Sequence, residues 1–220
     1  MGRLLVIVVF SGAAAATGSM AWGMLEHAWA DDTVGAWAIV AHGFVKLAVI
    51  CAFTYFVAVR GESKRTSRSP VAVLACVVAL VAIVFVPSPD RAAAASTVLA
   101  GDLVAVAFGI WLLASVLSLG RCFGILPEAR GLVTRGPYGL VRHPVYLGEI
   151  GVCAGLVIAS PTFVGTIATV VVVAAQFARM RFEEQALIDA FPSYRDYAAR
   201  TPRLVPSPRR QVPVSVHIST

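Results

Sequence analysis

Long apolar runs separated by short polar connectors dominate this chain. Four of the runs have about the length, near 20 helical residues, that crosses the hydrocarbon core of a membrane. They cover residues 4–25, 34–59, 71–86 and 98–119, and the third is the shortest. The pattern predicts an all-α, multispanning membrane protein with four transmembrane helices.

A fifth apolar region, residues 145–178, is too long for one straight span. At about 1.5 Å per residue it would measure roughly 50 Å as a single helix, well beyond the bilayer core. Ser160 and Pro161 lie near its middle. Because proline removes a helix hydrogen bond and disfavours helix in the residue before it, we expect a break there. The region is therefore predicted to form a helical hairpin that enters the membrane and returns to the same side.

The basic residues give an orientation to these spans, because cytoplasmic loops are enriched in lysine and arginine. Connector 60–69 carries four such residues and connector 120–143 carries four arginines, whereas connector 26–33 has none. This distribution predicts a cytoplasmic N-terminus, a cytoplasmic C-terminal tail and both basic connectors on the cytoplasmic side. Residues 3–19 also resemble a secretory signal, whose cleavage would leave the other spans oriented in the same way.

The composition excludes two other classes of protein. Hydrophobic residues make up 58% of the 220 and charged residues 14%, whereas about 25% of residues are charged in an ordinary soluble domain. A net charge of +6 could suggest a nucleic-acid partner, but the basic residues form no patch interleaved with aromatics. The four cysteines show neither a CxxC pair nor zinc-ligand spacing, so we expect no metal site.

The chain is predicted to divide into three parts. Residues 1–119 form a transmembrane bundle, residues 120–206 form a core of loop, hairpin and tail, and residues 207–220 form a disordered, proline-rich end. Within the core, residues 181–200 alternate charged and apolar residues, as an amphipathic surface helix interrupted at Pro192 would.

The densest polar chemistry is the stretch GPYGLVRHPVYLGEI, residues 136–150, directly before the hairpin. Pro144 fits the first turn of a helix, so Arg142 and His143 should lie at a helix start, with Tyr146 in its first turn. A helix N-terminus favours anionic groups, and the two basic residues add donors. The alternative is an interfacial belt of tyrosine and arginine that anchors a helix end.

Two further pairs could carry chemistry. Arg179 and Glu183 are four residues apart, so they share one face of a helix, while Glu184 points elsewhere. A solvated helix end with an incidental ion pair is the alternative for this pair. His42 and Lys46 share a face of the second span, where ionisable groups are functional candidates, although both could be structural.

Three motifs in order resemble a known family. The chain reads LVTxGPYxxVRHPxYxG, then RxxxEExxL, then FxxYxxY before a proline, within residues 131–206. In these motifs it is similar to the isoprenylcysteine carboxyl methyltransferases and their bacterial relatives, a superfamily that includes phospholipid N-methyltransferases. The N-terminal half shares only its helical spans with them.

The resemblance implies transfer of a methyl group from S-adenosyl-L-methionine to a lipophilic acceptor at the cytoplasmic face of the cell membrane. By position, Arg179 would bind the acceptor's acidic group, and Arg179 and Glu183 would be the catalytic pair. The cofactor-binding residues would be Arg130, Gly131, Leu132, Val133, Tyr138, His143, Pro144, Val145, Tyr146 and Glu183. The acceptor implied is a lipid-like or prenylated molecule with an isoprenylcysteine-like carboxylate, with no nucleic acid or metal involved.

The same residues leave other functions open. Arg130 stands where the eukaryotic enzymes have histidine, and Glu149 stands where relatives often have an apolar or aromatic residue. Both departures affect acceptor choice more than cofactor use. A phospholipid amine or a thiol could be the acceptor, and either would need a base such as His143 or Glu183. A sterol-type reductase that uses NADPH and a non-catalytic membrane adaptor are further alternatives.

Overall fold

The computed structural model describes residues 2–66, 69–86, 95–126 and 128–206. Within these ranges the regular secondary structure is α-helical, apart from three short 3-10 helices and one short pair of strands. The helices are α1 (Gly2–Asp31), α2 (Val34–Val59), α3 (Pro70–Ala82), α4 (Ala95–Leu119), α5 (Pro144–Ala159), α6 (Phe163–Ala190) and α7 (Tyr194–Arg200). The tail predicted to be disordered lies outside the described residues, and the predicted three-part division of the chain stays a prediction.

Among the described residues, four helices are long and apolar enough to cross a membrane, which confirms the predicted all-α architecture of a multi-pass membrane protein. They are Val6–Asp31, Val34–Val59, Ser96–Cys122 and Phe163–Ala190. The third predicted span differs, because α3 has only 13 residues before a 3-10 turn at Ile83–Phe85. The fourth long helix is instead α6, the second arm of the hairpin.

The predicted break in the long apolar region lies where proline was expected to cause it. Helix α5 ends at Ala159, and α6 begins at Phe163. The side chain of Thr162 accepts a hydrogen bond of 3.0 Å from the backbone N–H of Gly165, which caps the start of α6. Helix α6 then runs beyond residue 178, where the apolar region ends, without a second break.

The two basic connectors meet at one end of the bundle. Strands β1 (Arg65–Thr66) and β2 (Glu128–Ala129) pair antiparallel. The N–H of Gly61 also donates to the carbonyl of Arg121 at 3.1 Å. The arginine-rich segments therefore lie on the same side of the protein, as their shared charge predicted.

The closest helix packing joins α4 to α5 and depends on glycine. A Cβ at Gly101 would lie 2.3 Å from the backbone nitrogen of Ala159, and a Cβ at Gly155 would lie 2.6 Å from that of Ala105. Small residues let helix backbones approach in a membrane, where lipid offers no hydrophobic force between helices. This contact fixes the first arm of the hairpin against the bundle.

We expect Gly155→Ala to lower the thermal stability of the detergent-solubilised protein, because the added methyl group would overlap the α4 backbone. Overpacking of this kind typically costs about 1–3 kcal/mol. Gly23→Ala is the matched control, since Gly23 is also inside a helix and has nothing within 4 Å of its Cβ position. Equal melting temperatures for the two variants would contradict the packing described here.

Candidate functional site

Two neighbouring cavities lie where the loop before α5, the start of α5 and the middle of α6 come together. The first, named here the helix cavity, has an apolar wall from four parts of the chain. Its apolar lining includes Phe10 of α1, Phe53 of α2, Leu80 of α3 and Phe123. Its polar lining includes Tyr146, Glu149 and Arg179. The cavity therefore combines a hydrocarbon-like wall with a charged end.

The second cavity, named the loop cavity, is built from the segment after α4 and from the ends of α6 and α7. Gly131, Leu132, Val133, Leu187, Tyr194 and Tyr197 are among its lining residues. Five residues line both cavities, and three of them have polar side chains, namely Tyr138, Arg142 and Glu183. These three side chains therefore form the polar part of a common wall.

Glu184 links the two basic residues of the loop to the C-terminal segment. This carboxylate is buried, and its Oε1 lies 2.9 Å from Nε2 of His143 and 3.0 Å from Nη1 of Arg142. Arg203 donates to the same carboxylate from Nε at 3.1 Å. Three cationic or hydrogen-bonding partners thus converge on one acid, and the hydrogen bond to Glu184 raises the pKa of Arg203.

Backbone hydrogen bonds hold the C-terminal segment against the same loop. The N–H groups of Arg142 and His143 donate to the carbonyls of Pro202 and Arg203 at 2.8 and 3.1 Å. The hydroxyl of Tyr197 donates to the carbonyl of Tyr138 at 2.7 Å. The segment after α7 therefore crosses the loop that carries the shared wall.

The tyrosines around the loop cavity keep their protons at neutral pH. Burial raises the pKa of Tyr138 well above its usual value, and burial also raises the pKa values of Tyr194 and Tyr197. A neutral phenol can donate a hydrogen bond as well as accept one. The loop cavity therefore offers hydroxyl groups and no phenolate.

Arg179 lies at the charged end of the helix cavity with several fixed contacts. Its Nη1 donates to Oε1 of Gln176 at 2.8 Å, and its Nη2 donates to the carbonyl of Ile125 at 2.9 Å. The guanidinium also lies 4.9 Å from the centre of the Tyr146 ring. The Tyr146 hydroxyl in turn donates to Oε2 of Glu183 at 2.8 Å. Tyr146 therefore stands between Arg179 and Glu183, so the pair is connected through this ring.

The two cavities bring together most residues that the sequence identified. Gly131, Leu132, Val133, Tyr138 and Glu183 line the loop cavity, and His143, Val145, Tyr146 and Arg179 line the helix cavity. Pro144 is buried, and its carbonyl accepts a 2.9 Å hydrogen bond from Nε1 of Trp111. Arg130 donates to the carbonyl of Gly61 and to Glu128, which ties the two connectors together.

Two site residues were not identified from the sequence. Glu184 was expected only to point away from Arg179, and Gln176 was not considered. Both are polar side chains that are buried on a largely apolar helix. Such residues are costly to bury unless they have partners, and this cost is the signal that could have revealed them. His42 lies elsewhere, with Nδ1 3.9 Å from Oδ1 of the buried Asp102.

Comparison with known proteins relates part of this sequence to a family of methyltransferases. Residues 90–193 match the family described as phospholipid methyltransferase. The chain is 39% identical over 80 residues to the cobalt-zinc-cadmium resistance protein CzcN of Cupriavidus metallidurans. It is 36% identical over 80 residues to the nickel-cobalt-cadmium resistance protein NccN of Alcaligenes xylosoxydans xylosoxydans.

These similarities cover part of each protein. Each alignment includes 34% of this chain, and the chain spans only about a third of the two relatives, 35% and 36% of their lengths. The family match includes α4, the loop, the hairpin and Glu184. Residues 90–193 are thus similar to a methyltransferase family, and they supply part of the lining of both cavities.

We expect Glu184→Gln to destabilise the protein and free its C-terminal segment. Removing one partner from a buried ion pair typically costs about 3–5 kcal/mol, and here Arg142 and Arg203 would lose their common counterion. Mass spectrometry after limited trypsin digestion should show faster cleavage after Arg203, together with a lower melting temperature. Asp189→Asn removes an exposed acid from the same helix and should leave both unchanged. An unaltered rate of cleavage in Glu184→Gln would show that this acid does not hold the segment.

Proposed function

We propose that this protein transfers a methyl group from S-adenosyl-L-methionine to a lipophilic acceptor. The methyl donor would bind in the loop cavity, and the acceptor would bind in the helix cavity. The observation that carries the proposal is the common wall of Tyr138, Arg142 and Glu183, because two substrates that react must meet at a shared boundary. The match of residues 90–193 to phospholipid methyltransferases supports it.

The residues of the loop cavity suit this cofactor. Leu132, Val133 and Leu187 offer an apolar surface for the adenine, and Glu183 offers an acceptor for ribose hydroxyls or for the amino group. Within the described residues, the buried Nε of Arg142 has no hydrogen-bond acceptor, which suits a ligand carboxylate. When bound, S-adenosyl-L-methionine supplies an electrophilic methyl group on a sulfonium.

The helix cavity suits an acceptor with a long hydrocarbon part. Its apolar lining comes from helices α1, α2 and α3, so a lipid-dissolved molecule could reach it without leaving the membrane. We infer that Arg179 holds the acceptor's head group and that the site faces the cytoplasm, since the arginine-rich connectors lie at this end. An isoprenylcysteine-like carboxylate is the acceptor suggested by the sequence motifs. A phospholipid amine and a thiol are the other chemical classes.

The protein's own contribution would be mainly to position the reactants and to exclude water. A carboxylate acceptor needs no base, whereas an amine or a thiol must lose a proton. Glu183 lines both cavities and is the carboxylate placed to accept it. His143 is already within hydrogen-bond distance of Glu184. We therefore assign His143 to positioning the loop and Glu183 to the reacting groups.

The rival functions make different demands on the loop cavity. A sterol-type reductase would bind NADPH there, and a non-catalytic adaptor would need no cofactor. The family match favours methyl transfer over both. The two relatives are named for metal resistance, which describes a physiological context and leaves the proposed chemistry unchanged.

Glu183→Gln should weaken binding of S-adenosylhomocysteine at least about 10-fold, equivalent to about 1.4 kcal/mol, because the charged acceptor for the cofactor is lost. Isothermal titration calorimetry on the detergent-solubilised protein would measure this effect, with Asp189→Asn as the control. Tight binding of NADPH by the wild-type protein, without affinity for S-adenosylhomocysteine, would overturn the proposed function.

Arg179→Lys should lower methyl transfer into membrane lipid extract at least about 10-fold, while cofactor affinity changes little. Lysine keeps the charge but cannot contact both Gln176 and the Ile125 carbonyl with a planar fork. Transfer of a labelled methyl group, measured beside calorimetry with S-adenosylhomocysteine, separates the two roles. A variant that loses cofactor affinity but retains apparent affinity for the acceptor would show that Arg179 serves the cofactor.

A further inference from the structure

Glu149 forms a fixed cluster with Gln176 and Arg179 at the charged end of the helix cavity. Glu149 follows Tyr146 by three residues on α5, so both side chains lie on the face that lines the cavity. Its Oε2 accepts a hydrogen bond from Nε2 of Gln176 and lies 3.9 Å from Nη1 of Arg179. The two charged side chains are largely buried, at 14% and 11% exposure.

Gln176 lies between Glu149 and Arg179 and forms a hydrogen bond with each of them. Its amide nitrogen donates to Glu149, and its amide oxygen accepts from Arg179. An amide has one donor end and one acceptor end, so Gln176 matches an acid on one side and a base on the other. Gln176 therefore bridges the carboxylate of Glu149 and the guanidinium of Arg179.

The cluster has a consequence for charge in the cavity. Arginine keeps its proton in proteins, and a buried charge without a partner is strongly unfavourable. Glu149 therefore acts as a built-in counterion to Arg179. An anionic head group that approaches Arg179 also approaches the Glu149 carboxylate, since both line the same cavity. A neutral or cationic head group is not repelled by Glu149, and the positive charge of Arg179 is already balanced by this carboxylate.

We propose that Glu149 determines the specificity of the helix cavity for the acceptor, by disfavouring head groups with a net negative charge. This inference rests on the proposed function, because it assigns the acceptor to this cavity. Among the acceptor classes named above, it disfavours the isoprenylcysteine-like carboxylate. Arg179 retains a role toward the head group, because within the described residues its buried Nε–H has no acceptor.

The test uses two probes that differ only in head group. S-farnesylthioacetate ends in a carboxylate, and S-farnesylcysteamine carries the same chain and thioether but ends in a primary amine. Calorimetry on the detergent-solubilised full chain, saturated with S-adenosylhomocysteine, gives the affinity for each probe. The wild-type protein should bind the amine at least about 10-fold more tightly than the carboxylate.

Substitution of Glu149 should change this preference. Glu149→Gln keeps the size of the side chain and removes the charge, so the ratio of the two affinities should shift toward the carboxylate at least about 10-fold. Glu149→Asp keeps the charge and should retain an amine preference. Asp189→Asn removes one exposed negative charge from α6 and should keep the wild-type ratio. Affinity for S-adenosylhomocysteine should be unchanged in all three variants.

Several outcomes would overturn the proposal. It fails if Glu149→Gln weakens both probes equally, which a purely structural role predicts, or if the wild-type protein prefers the carboxylate. It also fails if S-adenosylhomocysteine binds but neither probe does. That result would leave the proposed methyl transfer unaffected. Absence of S-adenosylhomocysteine binding to the wild-type protein would instead refute the proposed function. If Glu149→Gln does not fold, the ratio of the two probe affinities in the wild-type protein and in Glu149→Asp decides, since both should prefer the amine.

Discussion

The convergence of Arg142, His143 and Arg203 on the carboxylate of Glu184 is the interaction on which the candidate site depends. It joins the loop before the hairpin, the second arm of the hairpin and the segment after the last helix. The backbone hydrogen bonds from Arg142 and His143 to the same segment reinforce the connection. Without a buried acid here, Arg142 and Arg203 would lie close together without a counterion. This counterion therefore holds Arg142, one of the residues of the shared wall.

A second cluster of polar and charged groups surrounds Arg179. The guanidinium of Arg179 lines a largely apolar cavity, where an ion without partners is unfavourable. Gln176, the Ile125 carbonyl and the ring of Tyr146 each contact its guanidinium, and Glu149 supplies the opposite charge. The hydroxyl of Tyr146 then reaches Glu183. One aromatic side chain thus separates the end of the site assigned to the acceptor from the shared wall.

Local rules of the chain account for much of the fold. The apolar runs predicted the long helices α1, α2 and α4, and Pro161 predicted the break between α5 and α6. They overestimated α3, which has 13 residues before a 3-10 turn, whereas the interruption predicted at Pro192 lies between the end of α6 and the start of α7. Helix α6 continues through Arg179, Glu183 and Glu184 because these polar side chains find partners in other segments. Hydrophobicity along the chain carries no information about such partners.

The sequence by itself determined the helical, membrane-spanning character of the protein, because this character follows from the order of residue types along the chain. It also predicted a set of site residues, and most of them line the two neighbouring cavities. Only the tertiary structure decided that Tyr146 separates Arg179 from Glu183, that Arg130 joins two connectors, and that Glu184 holds the C-terminal segment. The hydrogen bonds that make these contacts join residues between 19 and 69 positions apart along the chain. The physical reason is that a buried charge takes whichever partner the packed helices bring within reach, and that partner is fixed by packing and not by sequence spacing.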